Sequence, residues 1–374
     1  MSTTVTVSST SALESALASA KAGETIQLAA GVYSGVTISN HNFSSPVTIT
    51  SANASHPAIL EGLKVGSVSN LNFTNLEMTT LGSTDPYFAF RVSASQNVSF
   101  SNIQVQGDLS KVAGAQMLGS FYVSDSSHIT ITDSSFNDLN TAVLVEGSNY
   151  VTVSNNAFQD LSKGGVEVTG TSNLTVSGNN FTDFATTAGV HGDCIQVYTE
   201  SSTASASNIV ITGNVYDRGS GVAAQGIFVT DDSGVMPYHN VTIDDNTMIG
   251  ADWNAIELQD ATGTVQLENN HVESFTGYDV VAGGNTAFES WIRLSDLGSA
   301  HVTETGNVAQ FYLNSAGKAV TPPAGNTQIG VVTDGGASML HAWATASTGD
   351  YGLLSGDFLS MLGVSGVHSS VGIG

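Results

Sequence analysis

Short runs of alternating apolar and polar residues recur along the chain, each closed by a turn rich in Asn or Asp and a further apolar anchor. They read "LNFTNLEM" from 71, "VSFSNIQV" from 98, "ITITDSSF" from 129, "VTVSNNAF" from 151, "LTVSGNNF" from 174, "IVITGNVY" from 209, "VTIDDNTM" from 241 and "VQLENNHV" from 265. Alternation of this kind predicts half-buried strands, because successive side chains point to opposite faces. The anchors Met78, Val105, Phe136, Phe158, Phe181, Tyr216, Met248 and Val272 are separated by 27, 31, 22, 23, 35, 32 and 24 residues. A unit of about 22 residues with insertions is the length of one coil of a stacked parallel solenoid.

Stacking the copies places Asn156, Asn179, Asn214, Asn246 and Asn270 in one turn column. Asn accepts left-handed backbone and can pass amide hydrogen bonds from coil to coil, so the column predicts a structural ladder. Ahead of the first coil, "STSALESALASAKAGE" carries Leu13, Ala16, Leu17 and Ala20 at helical spacing, with a Ser11/Glu14 capping box and Gly23 as stop. This predicts an amphipathic helix covering the open end of the core. The expected fold is therefore all-β, a parallel β-helix with an N-terminal capping helix, and the resemblance set out next implies that it is a right-handed parallel β-helix. Its expected parts are a cap over 1–24, the coils over 25–314, and a C-terminal cap or tail over 315–374.

The pattern resembles the pectate-lyase-like right-handed β-helix superfamily across residues 5–312, and "ALESALASAKAGETIQLAAGVYSG" is similar to the cap and first strands of its polysaccharide lyases and epimerases. The resemblance implies a polysaccharide substrate. Its reaction motifs are only partly present. "GDCIQV" resembles part of the aspartate-rich motif of the polygalacturonases, but Gly192 stands where that motif has a second Asp. The Arg-Ile-Lys triplet and the Asp-Pro-His motif of mannuronan epimerases are absent.

Charge narrows the partners. The chain holds 8 Lys and Arg against 32 Asp and Glu, a formal charge of −24, which repels nucleic acid and anionic membrane. No segment approaches the ~18 uninterrupted apolar residues of a membrane span. A single Cys excludes an intrachain disulfide framework. These features predict a soluble protein working outside the cell or at its surface, and no coiled-coil heptad marks an oligomer.

Each coil carries a second strand, from "AFRVS" at 89 to "WIRLSD" at 291. Alternation predicts one outward ladder of Arg91, Tyr122, Leu144, Glu167, Gln196, Phe228, Glu257 and Arg293, and a neighbouring one of Glu146, Thr169, Tyr198, Thr230 and Gln259. Aromatic faces beside polar groups suit a sugar chain. Insertions between Phe181 and Tyr216, between Tyr216 and Met248, and after Val272 rise beside this face, as loops that wall a groove do.

At its centre "GVHGDCIQVY" offers His191 as general acid or base with Asp193 to orient it, and Asp193, Gln225 and Asn254 align just before the strand. Cys194 reads as a small packed residue. Partners for His191 should come from adjacent coils, with Gln225 and Lys163 as candidates. The expected catalytic set is His191, Asp193, Lys163 and Arg218, and the expected groove lining is Gln196, Tyr198, Gln225, Phe228, Glu257 and Arg293. Asp138, Asp160 and Asp183, each two residues past an anchor, read either as turn caps or as oxygen ligands for calcium.

Two classes follow. One is a lyase cleaving a uronate polymer by β-elimination, with hydrolysis through Asp193 and Glu257, or C5-epimerisation, on the same scaffold. The other is a non-catalytic glycan-binding β-helix, such as an adhesin or tail-fibre module.

Overall fold

A computed structural model describes residues 3–83, 85, 87–111, 119–187, 190–200, 202–219, 221–273 and 290–330. It divides into two compact units, residues 1–157 with 171–175, and residues 158–170 with 176–374. The inserted segment after Val272 falls almost wholly outside the described residues, as does the tail beyond 330.

In the first unit the helix α1 spans Thr10–Ser19 and buries Leu13 and Leu17. Its cap is Ser9, whose Oγ accepts from the Ala12 N–H at 3.2 Å, so the Ser11/Glu14 pair lies inside the helix instead of opening it. Strands then stack in parallel. Thr25 pairs with Thr48, Thr48 with Asn72, Asn72 with Ser99, Ser99 with Thr130 and Thr130 with Thr152. A second ladder carries Thr37, Lys64, Arg91, Tyr122 and Leu144 side by side, which contains the predicted outward column of this unit. Inward residues form an apolar interior in which Phe73 and Phe100 stack at 4.8 Å.

The second unit repeats the plan with three parallel ladders. One joins Ser207–Thr212, Tyr238–Asp244, Ala261–Glu268 and His301–Thr305. Another joins Asn180–Thr182, Val215–Asp217, Thr247–Ile249, His271–Glu273 and Val308–Ala309. The third aligns Glu167, Gln196, Phe228, Glu257 and Arg293 on successive rungs, as alternation predicts. Each unit is thus a stack of β-helix coils.

The turn ladder is present and longer than expected. Within the second unit Asn179, Asn214, Asn246, Asn270, Asn307 and Asn326 each pass a side-chain amide bond to the next, at 2.9–3.0 Å. The ladder asparagines are not themselves left-handed. That conformation belongs to the residue before each of them, namely Gly178, Gly213, Asp245, Asn269, Gly306 and Gly325. The turn residue supplies the bend and the following Asn satisfies the backbone groups that the bend exposes.

Candidate functional site

The site lies in the second unit, where the third ladder begins. Alternation alone would turn Asp193 inward with Ile195 and Val197, but Cys194 and Ile195 are both completely buried. The reason shows on the neighbouring rung. A Cβ on Gly164 would strike Glu167 Oε1 at 2.2 Å on the outer face, whereas one on Gly165 would meet Phe181 in the core. The chain bends here, two consecutive residues face inward, and Asp193, paired with Gly164, joins the side of Gln196.

Asp193 is 4% exposed and its Oδ1 has no hydrogen-bond partner among the described residues. Burial pushes its carboxyl up to about 7, the Glu167 carboxylate adds to the rise, and Lys163 opposes it. Gln225 and Asn254 occupy the following rungs, as the alignment predicted. Gln225 Oε1 accepts from Asn254 Nδ2 at 3.1 Å, and its Nε2 lies 3.2 Å from His191 Nδ1. With its oxygen so engaged, the Gln225 amide donates to Nδ1, which leaves the proton of a neutral His191 on the exposed Nε2. Gln225 is therefore the partner of His191 that the sequence named; Lys163 is not.

Lys163 instead grips Glu167, with Nζ 2.9 and 2.8 Å from the two carboxylate oxygens and its side chain 34% exposed. Arg293 donates to Glu257 at 2.8 Å and to the Ser315 carbonyl at 2.9 Å. Arg218, expected at the groove, is 0% exposed. Its charge instead draws down the carboxyl of Asp252. Phe228 and Gln196 are half-buried on the ladder, as is Tyr198 in the neighbouring column, beside Thr169. Cys194 is buried and its thiol pushed well up by burial, in keeping with a packing role.

Asp252 was not anticipated. It stands two residues before Asn254, as His191 stands two before Asp193. Burial raises its carboxyl to about 6 against the pull of the Trp253 N–H, His191 and Arg218, and its Oδ1 also has no partner among the described residues. Two carboxyls poised near neutrality thus flank the Asn254–Gln225–His191 chain, the arrangement in which one group can give a proton while the other takes one. Glu257 is raised by burial too, with Arg293 pulling against the rise.

No curated protein matches the chain. The family described as "Right handed beta helix region" matches residues 119–292. The fold is that of the right-handed β-helix. Among solved structures, the surface adhesin PfbA of Streptococcus pneumoniae superposes with a TM-score of 0.55 at 13% identity, covering 83% of this chain and 88% of the adhesin. An alginate lyase from Paenibacillus sp. str. FPU-7 gives 0.48 at 16% identity, over 88% of this chain and 99% of the lyase. A family 28 exopolygalacturonase of Yersinia enterocolitica gives 0.49 at 11%, over 90% and 79%. A fold does not fix a function, and the chemistry of this chain has to be read from its own side chains.

The aspartates considered for calcium do not form a cage. Asp138, Asp160 and Asp183 all occupy left-handed backbone, the setting of turn caps. Asp138 Oδ2 accepts from Gln106 Nε2 at 3.2 Å, and Asp183 Oδ2 accepts from Gln159 Nε2 at 3.3 Å and Thr182 Oγ1 at 3.2 Å. Oxygens already facing amide and hydroxyl donors suit a cation poorly. Among the described residues no three acidic, His or Cys side chains converge as a metal site.

The coupling of Glu167 to Asp193 gives a direct prediction. Glu167→Gln removes a neighbouring negative charge and releases the Lys163 charge, and both changes favour ionised Asp193. Its pKa should fall below about 7, read by carboxyl-carbon NMR titration. Gly164→Ala, which forces the same carboxylate away while keeping its charge, should cost about 1–3 kcal/mol in urea unfolding.

Proposed function

We propose that the second unit hydrolyses the glycosidic bonds of a polysaccharide by general acid–base catalysis, with Asp193 as the acid and Asp252 as the base. The observation that carries this reading is a pair of carboxyls, Asp193 buried and Asp252 half-buried, each with an Oδ1 that has no hydrogen-bond partner among the described residues, raised to about 7 and about 6. Near pH 6.5 the higher group is mostly protonated and the lower mostly ionised, which is the division of labour hydrolysis needs. His191, through its exposed Nε2–H, and Gln225 would orient sugar hydroxyls, and Gln196, Tyr198 and Phe228 would line the chain's path.

The lyase reading asks for a cation to neutralise a uronate carboxylate. The eight Lys and Arg of the sequence place only Lys163, Arg218, Arg293 and Lys318 in this unit. The first is held by Glu167, the second is fully buried, the third is held by Glu257, and Lys318 lies on the exposed segment after the last ladder strand. An uncharged polymer fits this electrostatic setting better than a polyuronate.

Asp193 and Asn254 are two rungs apart, about 10 Å along the ladder at the backbone, and Asp252 stands two residues before Asn254. No helix among the described residues is long and apolar enough to cross a membrane. Action on a polymer places the protein outside the cell or at its surface.

The test incubates the full chain with uncharged polysaccharides and polyuronates, following reducing ends, the ultraviolet absorbance of unsaturated uronates, and product anomers by proton NMR. Reducing ends without unsaturation are expected. Unsaturated products would overturn the reading in favour of elimination, and silence on every polymer would leave a binding β-helix.

A further inference from the structure

The first unit has a cleft of its own that the acid pair does not use. It measures about 380 Å³ and is lined by Ser34, Thr37, Glu61, Lys64, Ser83 and Asp85 together with backbone at Gly35, Gly62 and Gly82. This is the size range of small-ligand sites. Its floor is rigid ladder, since Thr37, Lys64 and Arg91 stand on successive rungs.

Three observations give the cleft its chemistry. Glu61 is held in place, its Oε2 accepting from Ser34 Oγ at 2.7 Å and its carboxyl lying against Gly82, where a Cβ would come within 2.9 Å. Asp85 is fixed by a two-pronged bond from Arg91, at 2.7 and 3.0 Å, and accepts from the Tyr87 and Phe88 N–H groups at 3.0 and 3.2 Å. Those bonds order the rim, and Tyr87, whose N–H is held by Asp85, is 57% exposed. Arg91 in turn lies over the Tyr122 ring at 5.0 Å, so its charge is committed on both sides.

Lys64 is exposed and takes part in none of the ion pairs found among the described residues. Glu61 and Asp85 balance Lys64 and Arg91, so the ionised groups around the cleft sum to zero. Alternating donors and acceptors beside an exposed aromatic face match a polyol with a ring face to stack, and zero net charge gives no preference to an anion.

We propose that this cleft is a saccharide-binding site that takes one or two pyranose units of an uncharged oligosaccharide, with Glu61, Lys64 and Ser34 bonding to hydroxyls and Tyr87 stacking on a ring. The site holds the polymer without cutting it and stands independently of the acid-pair reading.

The experiment titrates the Asp193→Asn chain, which removes the proposed acid, with cellohexaose, mannohexaose, galactohexaose and trigalacturonate, following the amide resonances of Gly35, Gly62 and Lys64 by NMR. At least one uncharged hexaose should shift these resonances saturably. Tyr87→Ala and Glu61→Gln should each weaken that binding by about tenfold or more, with Lys64→Gln as a second polar variant. Trigalacturonate should bind more weakly than the uncharged sugar. Unshifted resonances with all three hexaoses, affinity untouched by Tyr87→Ala and Glu61→Gln, or tighter binding of trigalacturonate would each overturn the proposal. Polymer cleavage by the unsubstituted chain is a separate readout, so failure here and failure of the acid pair are told apart.

Discussion

Asp193→Asn is expected to lower kcat by about a hundred- to ten-thousandfold while leaving the coils folded. The amide has the shape of the acid but cannot pass a proton to a departing glycosidic oxygen. Asp193 sits on a rung whose backbone pairs with Gly164 and Gln225, so the substitution leaves the ladder intact. Two pH experiments distinguish lost chemistry from lost structure. In the unsubstituted protein, activity should fall as pH rises through about 7, where Asp193 loses its proton, and should rise through about 6 as Asp252 ionises. Asp252→Asn should abolish the rising limb.

Stability supplies the second experiment. The folded protein keeps the Asp193 proton up to about pH 7, against 3.8 for an unperturbed carboxyl. Between those values the folded state binds more protons than the unfolded chain, so this group's contribution falls as pH rises and is fully present only below about 4. Asp193→Asn removes that dependence, and its urea midpoint should gain on the unsubstituted protein between pH 4 and pH 8. A variant that loses activity and stability equally at every pH would refute the acid role.

The repeat was legible because its two periods are independent. Alternation sorts side chains into inward and outward columns, and the coil length sets which residues share a rung. Those rules alone place Glu167, Gln196, Phe228, Glu257 and Arg293 side by side. They also align Gln225 with Asp193, from which the bond to His191 follows.

What was missed lies where the periods break. The bend at Cys194–Ile195 changes the facing of Asp193, and its only sign in the sequence is the glycine pair Gly164–Gly165 on the neighbouring rung. Asp252 shares its offset with His191, but its character comes from burial and from groups on other coils, Arg218 and His191, which no spacing reveals. Arg218 shows the converse. It follows Asp217, which pairs with Thr182 on the neighbouring rung, and is fully buried, so a cation expected to meet substrate instead tunes a neighbour from within.

Asn246→Ala should be the most damaging single change to the scaffold, lowering unfolding free energy by on the order of 4 kcal/mol or more. The side chain accepts from the Asn214 N–H at 3.0 Å and from its amide at 2.9 Å, and donates to the Ile211 carbonyl at 2.9 Å and to Asn270 at 3.0 Å. All these partners are buried, so truncation leaves the Asn214 N–H and one hydrogen of its side-chain amide without their acceptor and takes a donor from the Ile211 carbonyl, where no bulk water reaches them, while Asn270 keeps the bond from the Asn246 N–H. Asn326, at the last rung, should show the limit of the effect. Its amide bonds the Glu304 and Pro323 carbonyls at a half-buried position, so Asn326→Ala lets solvent replace part of what is lost. Urea unfolding of both variants should therefore order them Asn246 well above Asn326. Because neighbouring rungs share bonds, Asn214→Ala combined with Asn246→Ala should cost less than the sum of the two single changes. Strict additivity would mean that each asparagine serves only its own turn, and the amide column would then be a stack of separate caps with no cooperative seam.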